Sequence, residues 1–321
     1  MPSTASSFGR KLRFSQIMVF EQVLRSSSIT RAAQMLNLTQ SAVTKVIHEL
    51  EDHFGGPLLI RSNRGVTATE LGEVVARRSK SLLAELRYMN DEVNAFRQGT
   101  AGQVFVGTLI SASAALLPRA IRLLKTRAPA VVVTLRVGQM DQLFPALTVG
   151  DLDLIVGRIP DDGSLHAQSP QIKTESLYRE QLCVVGGIHH PLAQRSSSTL
   201  AQTLDFPWIL PTRDSSLRWT ADHMFANAGL PSPTNVVESL SVLTNVALML
   251  DQETIGLMPR SAAQQLSDTG ILTILSLADM PEFGDIGCFT FGGRTPAQAV
   301  ELFQECLRDA AKEIALELVK T

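Results

Sequence analysis

The sequence predicts an α/β protein in two parts, a small helical head joined by one long helix to a larger domain whose sheet is covered on both faces. Three observations carry that expectation. Residues 14–54 contain three short amphipathic helical segments, apolar residues between 75 and 96 recur at every seventh position, and beyond residue 103 β-branched runs alternate with helical stretches. A chain of 321 residues, 45% hydrophobic and 19% charged, has the apolar content for such cores, which excludes disordered and fibrous classes.

The first segment, FSQIMVFEQVLRS (14–26), places Phe14, Ile17, Phe20 and Leu24 on one helical face, and Ser26-Ser27-Ser28 ends it and can cap the next helix, TRAAQML. Asn37 tolerates left-handed geometry where the chain must turn, and Thr39 is placed to cap a third helix, QSAVTKVIHELEDHF. Two short helices around a tight turn are the elements of a helix-turn-helix. Ala32, Ala33, Leu36, Leu38, Val43 and Val46 fall where such helices touch, with compact Ala33 at the closest approach. Gln40, Ser41, Thr44, Lys45 and His48 remain as donors and acceptors able to read base edges in a major groove, Lys45 also reaching phosphate. Helices with an alanine pair also build bundles that bind nothing, so the flanking sequence matters.

That sequence is GGPLLIRSNRGVTATELG: a Gly-Gly-Pro break, a short apolar strand Leu58–Ile60, and a basic turn with Arg61, Asn63, Arg64 and Gly65. Alone it would be a solvated loop; beside a reading helix it is expected to be a β-wing whose arginines follow the DNA backbone or minor groove. The candidate DNA contacts are therefore Arg31, Thr39, Gln40, Ser41, Thr44, Lys45, His48, Arg61 and Arg64. Charge agrees. Residues 1–64 carry eight Lys or Arg against four carboxylates, a net of +4 within a chain of net −2, so the remainder carries −6. A basic head on an acidic body touches phosphate without the whole molecule adhering to nucleic acid.

From Phe14 to Gly72 the chain resembles the winged head of the LysR-type transcriptional regulators. The stretch ITRAAQMLNLTQSAVTKVIHELEDHFGGPLLIRSNRGVTATELG has the family's paired alanines, its Gln after Thr39, an LE…G…L run, an arginine entering the wing and a threonine before the next helix. The resemblance implies a sequence-specific, DNA-binding regulator of transcription with a winged helix-turn-helix. Ser41 stands where the family often has Pro, Thr44 where Ser is usual and Leu59 where Phe is usual. Two of these lie on the reading face and leave the operator sequence open.

Thr69 is expected to cap a helix with Glu70 and Glu73 in its first turn, continuing to about Gln98. Val75, Leu82, Met89 and Phe96 form a heptad, with Leu86 and Val93 four residues after Leu82 and Met89. Such a stripe packs on its own domain or pairs two copies; between a head and a body, a homodimer seam is the expectation, and two heads then read half-sites about one helical turn apart. The resemblance implies the same dimer, with homotetramers built from two of them.

GTAGQ (99–103) reads as a hinge. Strand-like VFVGTLI, VVVTLRV and DLDLIVG then alternate with helical PRAIRLLKTRA and QLFPALTVG; YREQLCVVGG, PWILPT, NVVES and TIGLMP repeat the pattern, and GDIGCFTFGG with a long terminal helix closes it. This resembles the two-lobed effector domain of the family, similar to periplasmic binding proteins. The expected organisation is a flexible N-terminus (1–12), a winged helix-turn-helix (13–68), a linker helix (69–98) and an effector-binding domain (99–321). Its lobe I would span 103–161 and 270–315 and its lobe II 162–269, with crossings near Asp161 and Gly270.

In open α/β folds ligands sit beyond the carboxyl ends of the strands. Ser111 and Ser113, Gln139, Arg158, Thr212, Arg213, Ser215 and Ser239 occupy such places, with Ser241 after Ser239 and Met258 and Pro259 as wall; helix capping and an ion pair from Arg158 to Asp161 or Asp162 are the bland alternatives. By resemblance, Ser111, Gln139 and Thr212 match positions lining the effector cleft. Hydroxyls and arginines together suggest a small anionic effector, a carboxylate or aromatic acid. Enzymatic chemistry is not expected, nor is a cofactor or metal: His189 and His190 precede Pro191 without a partner at ligand spacing, and no GxSxG, Walker or HExxH pattern occurs. A solute-binding or small-molecule-metabolising protein built on the two-lobed domain is the alternative; it would need neither basic head nor seam. Cys183, Cys288 and Cys306 are too few and too scattered for disulfides or a metal pair, so inert buried thiols are expected, with redox sensing by Cys183 and Cys288 as the rival. No apolar run reaches the roughly 18 residues of a membrane span, and MPSTASSFGRKLRF lacks the apolar centre of a secretory signal, so the expected location is the cytoplasm, with no membrane partner.

Overall fold

Three helices, α1 (Phe14–Ser26), α2 (Ile29–Met35) and α3 (Gln40–Phe54), and a hairpin of β1 (Leu59–Ser62) and β2 (Gly65–Ala68) form the head. They are seen in a computed structural model that describes residues 12–62, 65–98, 102–160, 171–213, 215–251, 253–277 and 280–320. All of the expected flexible N-terminus except Leu12, the wing residues Asn63 and Arg64, hinge residues 99–101 and the crossing point near Asp161 lie outside these. By contacts the chain divides into one unit of residues 1–93 with 148–151 and another of 94–147 with 152–321.

The core of the head is Phe20, Val23, Ala32, Val43, Ile47 and Leu50 with Leu58, just before β1, and Val66 of β2. The buried face of α1 is Ile17, Val19, Phe20 and Val23; Phe14 is exposed, because the helix is rotated from the expected stripe and Gln16 is drawn inward by a hydrogen bond to Glu49 (2.7 Å). Leu38, expected at the helix contact, is 43% exposed, since Leu36, Ile47 and Leu50 close that space instead.

Helix α4 (Glu70–Gln98) has 29 residues, roughly 43 Å at 1.5 Å per residue. Thr69 caps it, Oγ1 accepting from Gly72 N (2.9 Å) while donating to Pro57 O (2.7 Å). A Cβ on Gly72 would lie 2.0 Å from the Leu58 carbonyl oxygen, so only glycine lets this helix start so close to the hairpin. Val75 is not part of an outward stripe: it is buried in the head core. Leu82, Leu86, Met89 and Val93, spaced 4, 3 and 4 apart, are exposed, Met89 by 56%. The side chain of Phe96 lies outside the described ones.

The body holds a nine-stranded sheet. Parallel β3 (Gly102–Thr108), β4 (Val131–Val137) and β5 (Leu154–Arg158) alternate with helices α5 (Ile110–Ser113), α6 (Leu116–Arg127) and α7 (Met140–Val149). The 16-residue β6 (Ile172–Gly187) follows, then β7 (Trp208–Leu210), α8 (Ser216–Asn227), β8 (Val236–Glu238), α9 (Val242–Asp251), β9 (Ile255–Pro259), α10 (Arg260–Asp268), β10 (Leu272–Ile274), β11 (Glu282–Phe291) and α11 (Gln298–Lys320). Strand order is β4-β3-β5-β11-β6-β9-β7-β8, with β10 beside β6. The sheet is mixed rather than wholly parallel, because β6 and β11 run antiparallel through its centre.

That pair corrects the expected lobe boundaries. The first half of β6, to Gln181, pairs with β11 in lobe I, and from Leu182 it pairs with β9 in lobe II. The chain therefore changes lobe about twenty residues after Asp161, and β10, paired with Val185–Gly187, still belongs to lobe II, so the return lies beyond Gly270. The polar opening of β6, IKTESLYR, hid its strand character from a search for β-branched runs.

At the change of partner sits Glu180, fully buried. One of its oxygens accepts from Gln181 N and Ser261 N (3.1 and 3.3 Å), and the other from Tyr178 OH (3.1 Å) and Ser261 Oγ. Desolvation raises its pKa against these donors. A raised carboxyl pKa means folding favours the protonated form, so the group contributes less stability as pH rises above the unfolded value of about 4.3. Glu180→Gln is accordingly expected to match or exceed the parent in thermal stability at pH 7, with a gap that narrows toward pH 4. Glu180→Ala, which strands four donors, is expected to cost about 3 kcal/mol by denaturant titration.

Candidate nucleic-acid interface and ligand cleft

The turn chemistry of the head presents α3. Ser28 caps α2 by accepting from Arg31 N (3.3 Å), Asn37 takes the left-handed conformation (φ 54°), and Thr39 Oγ1 accepts from Ala42 N (3.2 Å) while lying 3.0 Å from Ser41 Oγ. Gln40, Ser41, Thr44, Lys45 and His48 line one open surface; all are exposed except half-buried Thr44, and Arg31, Thr39 and Arg61 are exposed as well. His48 Nδ1 lies 3.2 Å from Glu51, whose other oxygen accepts from Leu58 N (2.9 Å), so the reading helix is keyed to the hairpin. Arg64 lies outside the described residues.

Two features of the head escaped the sequence. Glu49 on α3 accepts from Gln16 and from Arg13 (3.3 Å), joining the start of α1 to α3 across 33 and 36 residues, a separation no local pattern reveals. The hairpin is fastened to the turn after α1: Val66 N donates to Ser27 O (2.9 Å), Ser27 is left-handed (φ 50°), and Gly65 (φ 122°) sits so close that a Cβ there would come within 2.8 Å of that oxygen.

In the body the expected ligand residues gather loosely around the carboxyl ends of the strands. Ser113 closes α5 and is half-buried; the side chain of Ser111 lies outside the described ones. The Gln139 carbonyl accepts from Leu143 N (2.9 Å) at the start of α7. Ser215 caps α8 through Leu217 N (3.2 Å) and Ser241 caps α9 through Thr244 N (3.4 Å), the capping named as their alternative, while Ser239 Oγ accepts from Ser241 N (3.1 Å) before that helix. Neither arginine is a free cation: Arg158 donates to the Phe283 carbonyl and lies 5.2 Å above its ring, and Arg213 is paired with Glu238 (3.4 Å). Among the described residues, buried Thr212 Oγ1 has no hydrogen-bond partner.

Beside Thr212 opens a pocket of about 140 Å³ at the ends of β7 and β9, between α9 and α10, with Ala114 of lobe I at its edge. Ser239, Met258 and Pro259 line it as expected; Leu217, Val242, Asn245, Met249, Gln265 and Leu266 were missed. The signal existed, since 242, 245 and 249 share one helical face and 262, 265 and 266 another, but each stripe alone reads as core. Among the described residues no three His, Cys, Asp or Glu side chains gather to hold a metal, and no helix is long and apolar enough to cross a membrane.

Residues 14–73 match the model of the bacterial regulatory helix-turn-helix proteins of the lysR family, and residues 97–312 match that of the LysR substrate binding domain. The chain belongs to the LysR-type transcriptional regulators. It is 30% identical over 308 residues to the HTH-type transcriptional regulator PcaQ of Agrobacterium fabrum, covering 95% of this chain and 97% of that one. It is 28% identical over 266 residues to GbpR of Azospirillum brasilense, covering 83% and 77%. The fold matches full-length CbnR complexed with its target DNA at TM-score 0.66 and 20% identity, covering 93% of this chain and 100% of that one. These relatives are regulators, not enzymes, and so is this LysR-type protein.

The three cysteines of this regulator are free and buried, and burial pushes the thiols of Cys183 and Cys288 up to about 12. A thiol needs its thiolate to react. Native protein at pH 8 is therefore expected to resist iodoacetamide at Cys183 and Cys288, with modification appearing only in denaturant, as read by intact mass; rapid native labelling of either would contradict this.

Proposed function

We propose that this LysR-type regulator binds its operator as a dimer paired through α4, two such dimers forming a tetramer, and that a small ligand between the lobes of its body biases DNA binding. The observation that carries the DNA reading is the open face of Gln40, Ser41, Thr44, Lys45 and His48 on a helix capped at both ends. It supports readout of base edges by Gln40 and Ser41, with Lys45, Arg31 and the wing arginines Arg61 and Arg64 on phosphate. The protein acts on DNA in the cytoplasm. Pairing is supported by the apolar stripe Leu82, Leu86, Met89 and Val93, which a solitary helix would leave in water.

The ligand is a small organic acid. Thr212 Oγ1 offers a buried donor at the pocket mouth, and the backbone N–H groups at the helix starts beside Ser111 and Ser215 favour a carboxylate there. The mechanism is differential binding: the ligand stabilises one closure of the lobes about β6 and β11, dimer packing changes with it, and the heads engage or bend DNA differently.

Gel retardation with a footprinted operator tests the interface. Lys45→Ala should weaken binding alike on operator and random duplex and lower the salt slope by about one, whereas Gln40→Ala should lose about 1–3 kcal/mol of discrimination at one base pair. No preference of the parent for any operator over random duplex would overturn the reading. In sedimentation, Leu86→Glu combined with Met89→Glu should yield monomers that bind single half-sites weakly; an unchanged oligomer would remove α4 as the seam.

A further inference from the structure

We infer that the lobe II pocket receives a hydroxylated aromatic ring, with the side-chain amide of Asn245 reading the ring hydroxyl. This rests on the reading that the cleft is the effector site and adds the chemistry of its occupant. The pocket measures about 140 Å³, and cavities of about 150 Å³ hold a benzene-sized molecule, so one six-membered ring fits inside it. None of its lining residues is charged, and its walls are Ile209, Leu210, Leu217, Leu240, Met249 and Met258. A charged group pushed among them would lose its hydration without a partner. The two thioethers favour an aromatic edge over an aliphatic chain.

The polar side chains of the lining are Ser239, Asn245 and Gln265, too few for the many hydroxyls of a sugar, and Ser239 already accepts from Ser241 N. Asn245 differs. Its Oδ1 is buried and makes no hydrogen bond among the described residues, although a buried amide oxygen costs stability until a donor reaches it. A ring hydroxyl supplies that donor. The occupant's carboxylate then stays at the mouth, where Thr212, next after the lining residue Pro211, holds a second unpaired buried oxygen.

Calorimetric titration of the full-length protein with benzoate, 3-hydroxybenzoate and 4-hydroxybenzoate tests this. One hydroxybenzoate is expected to bind about five- to tenfold more tightly than benzoate, and Asn245→Leu to abolish the preference while leaving benzoate affinity within about twofold. Asn245→Ala serves if the leucine variant loses its native circular dichroism. Equal binding of benzoate and both hydroxybenzoates, a preference that survives both variants, or no binding of any benzoate at millimolar concentration overturns the assignment. Val242→Phe, which fills the pocket from its half-exposed rim, separates the two levels. Unaltered hydroxybenzoate binding in that variant puts the ligand elsewhere and sinks the cleft reading. Loss of binding there, with the preference intact in Asn245→Leu, leaves the cleft and removes only Asn245.

Discussion

The body of this regulator depends on one antiparallel ladder, the pairing of Glu282–Phe291 with Ile172–Gln181. Every other strand reaches the sheet through β6 or β11: β5, β3 and β4 on one side, β9, β7 and β8 on the other, with β10 on β6. Strand β6 changes partner at Gln181–Leu182, pairing with β11 before that point and with β9 after it, without a break in its hydrogen-bonding. Glu180 sits beside that change and binds the first turn of α10, so the lobe II helix that walls the pocket is tethered to the strand shared by both lobes.

The pocket and the tether explain each other. A ligand can shift a lobe equilibrium only by its differential affinity for the two arrangements. The apolar wall belongs almost wholly to lobe II, while Ala114 comes from lobe I. Arg213 is paired with Glu238 and Arg158 donates to the Phe283 carbonyl, and neither lines the pocket.

In the head, close backbone approach is the governing device. Alanines at 32 and 33 let α2 meet α3, glycines at 65 and 72 let the hairpin and α4 lie against neighbouring carbonyls, and left-handed Ser27 and Asn37 make the two turns. Rigid presentation of α3 follows, since an error of 1 Å at its base would misplace every donor on its reading face.

Local chemistry alone determined the helix caps Ser28, Thr39 and Thr69, the turn at Asn37, the exposed polar face of α3 and the alternation of strands and helices in the body, because each depends on residues within a few positions of one another. Even the exposed residues Leu82, Leu86, Met89 and Val93 of the α4 stripe were legible, unlike Val75, whose neighbours in the head core lie far away in sequence. Tertiary structure decided the rest. The change of lobe within β6, the partners that occupy Arg158 and Arg213, the Glu49 bridge to Gln16 and the pocket around Asn245 all join residues separated by 25 to 125 positions or more than one element. Periodicity reports which face of an element avoids water, but which other face it meets is set by how the chain closes in space.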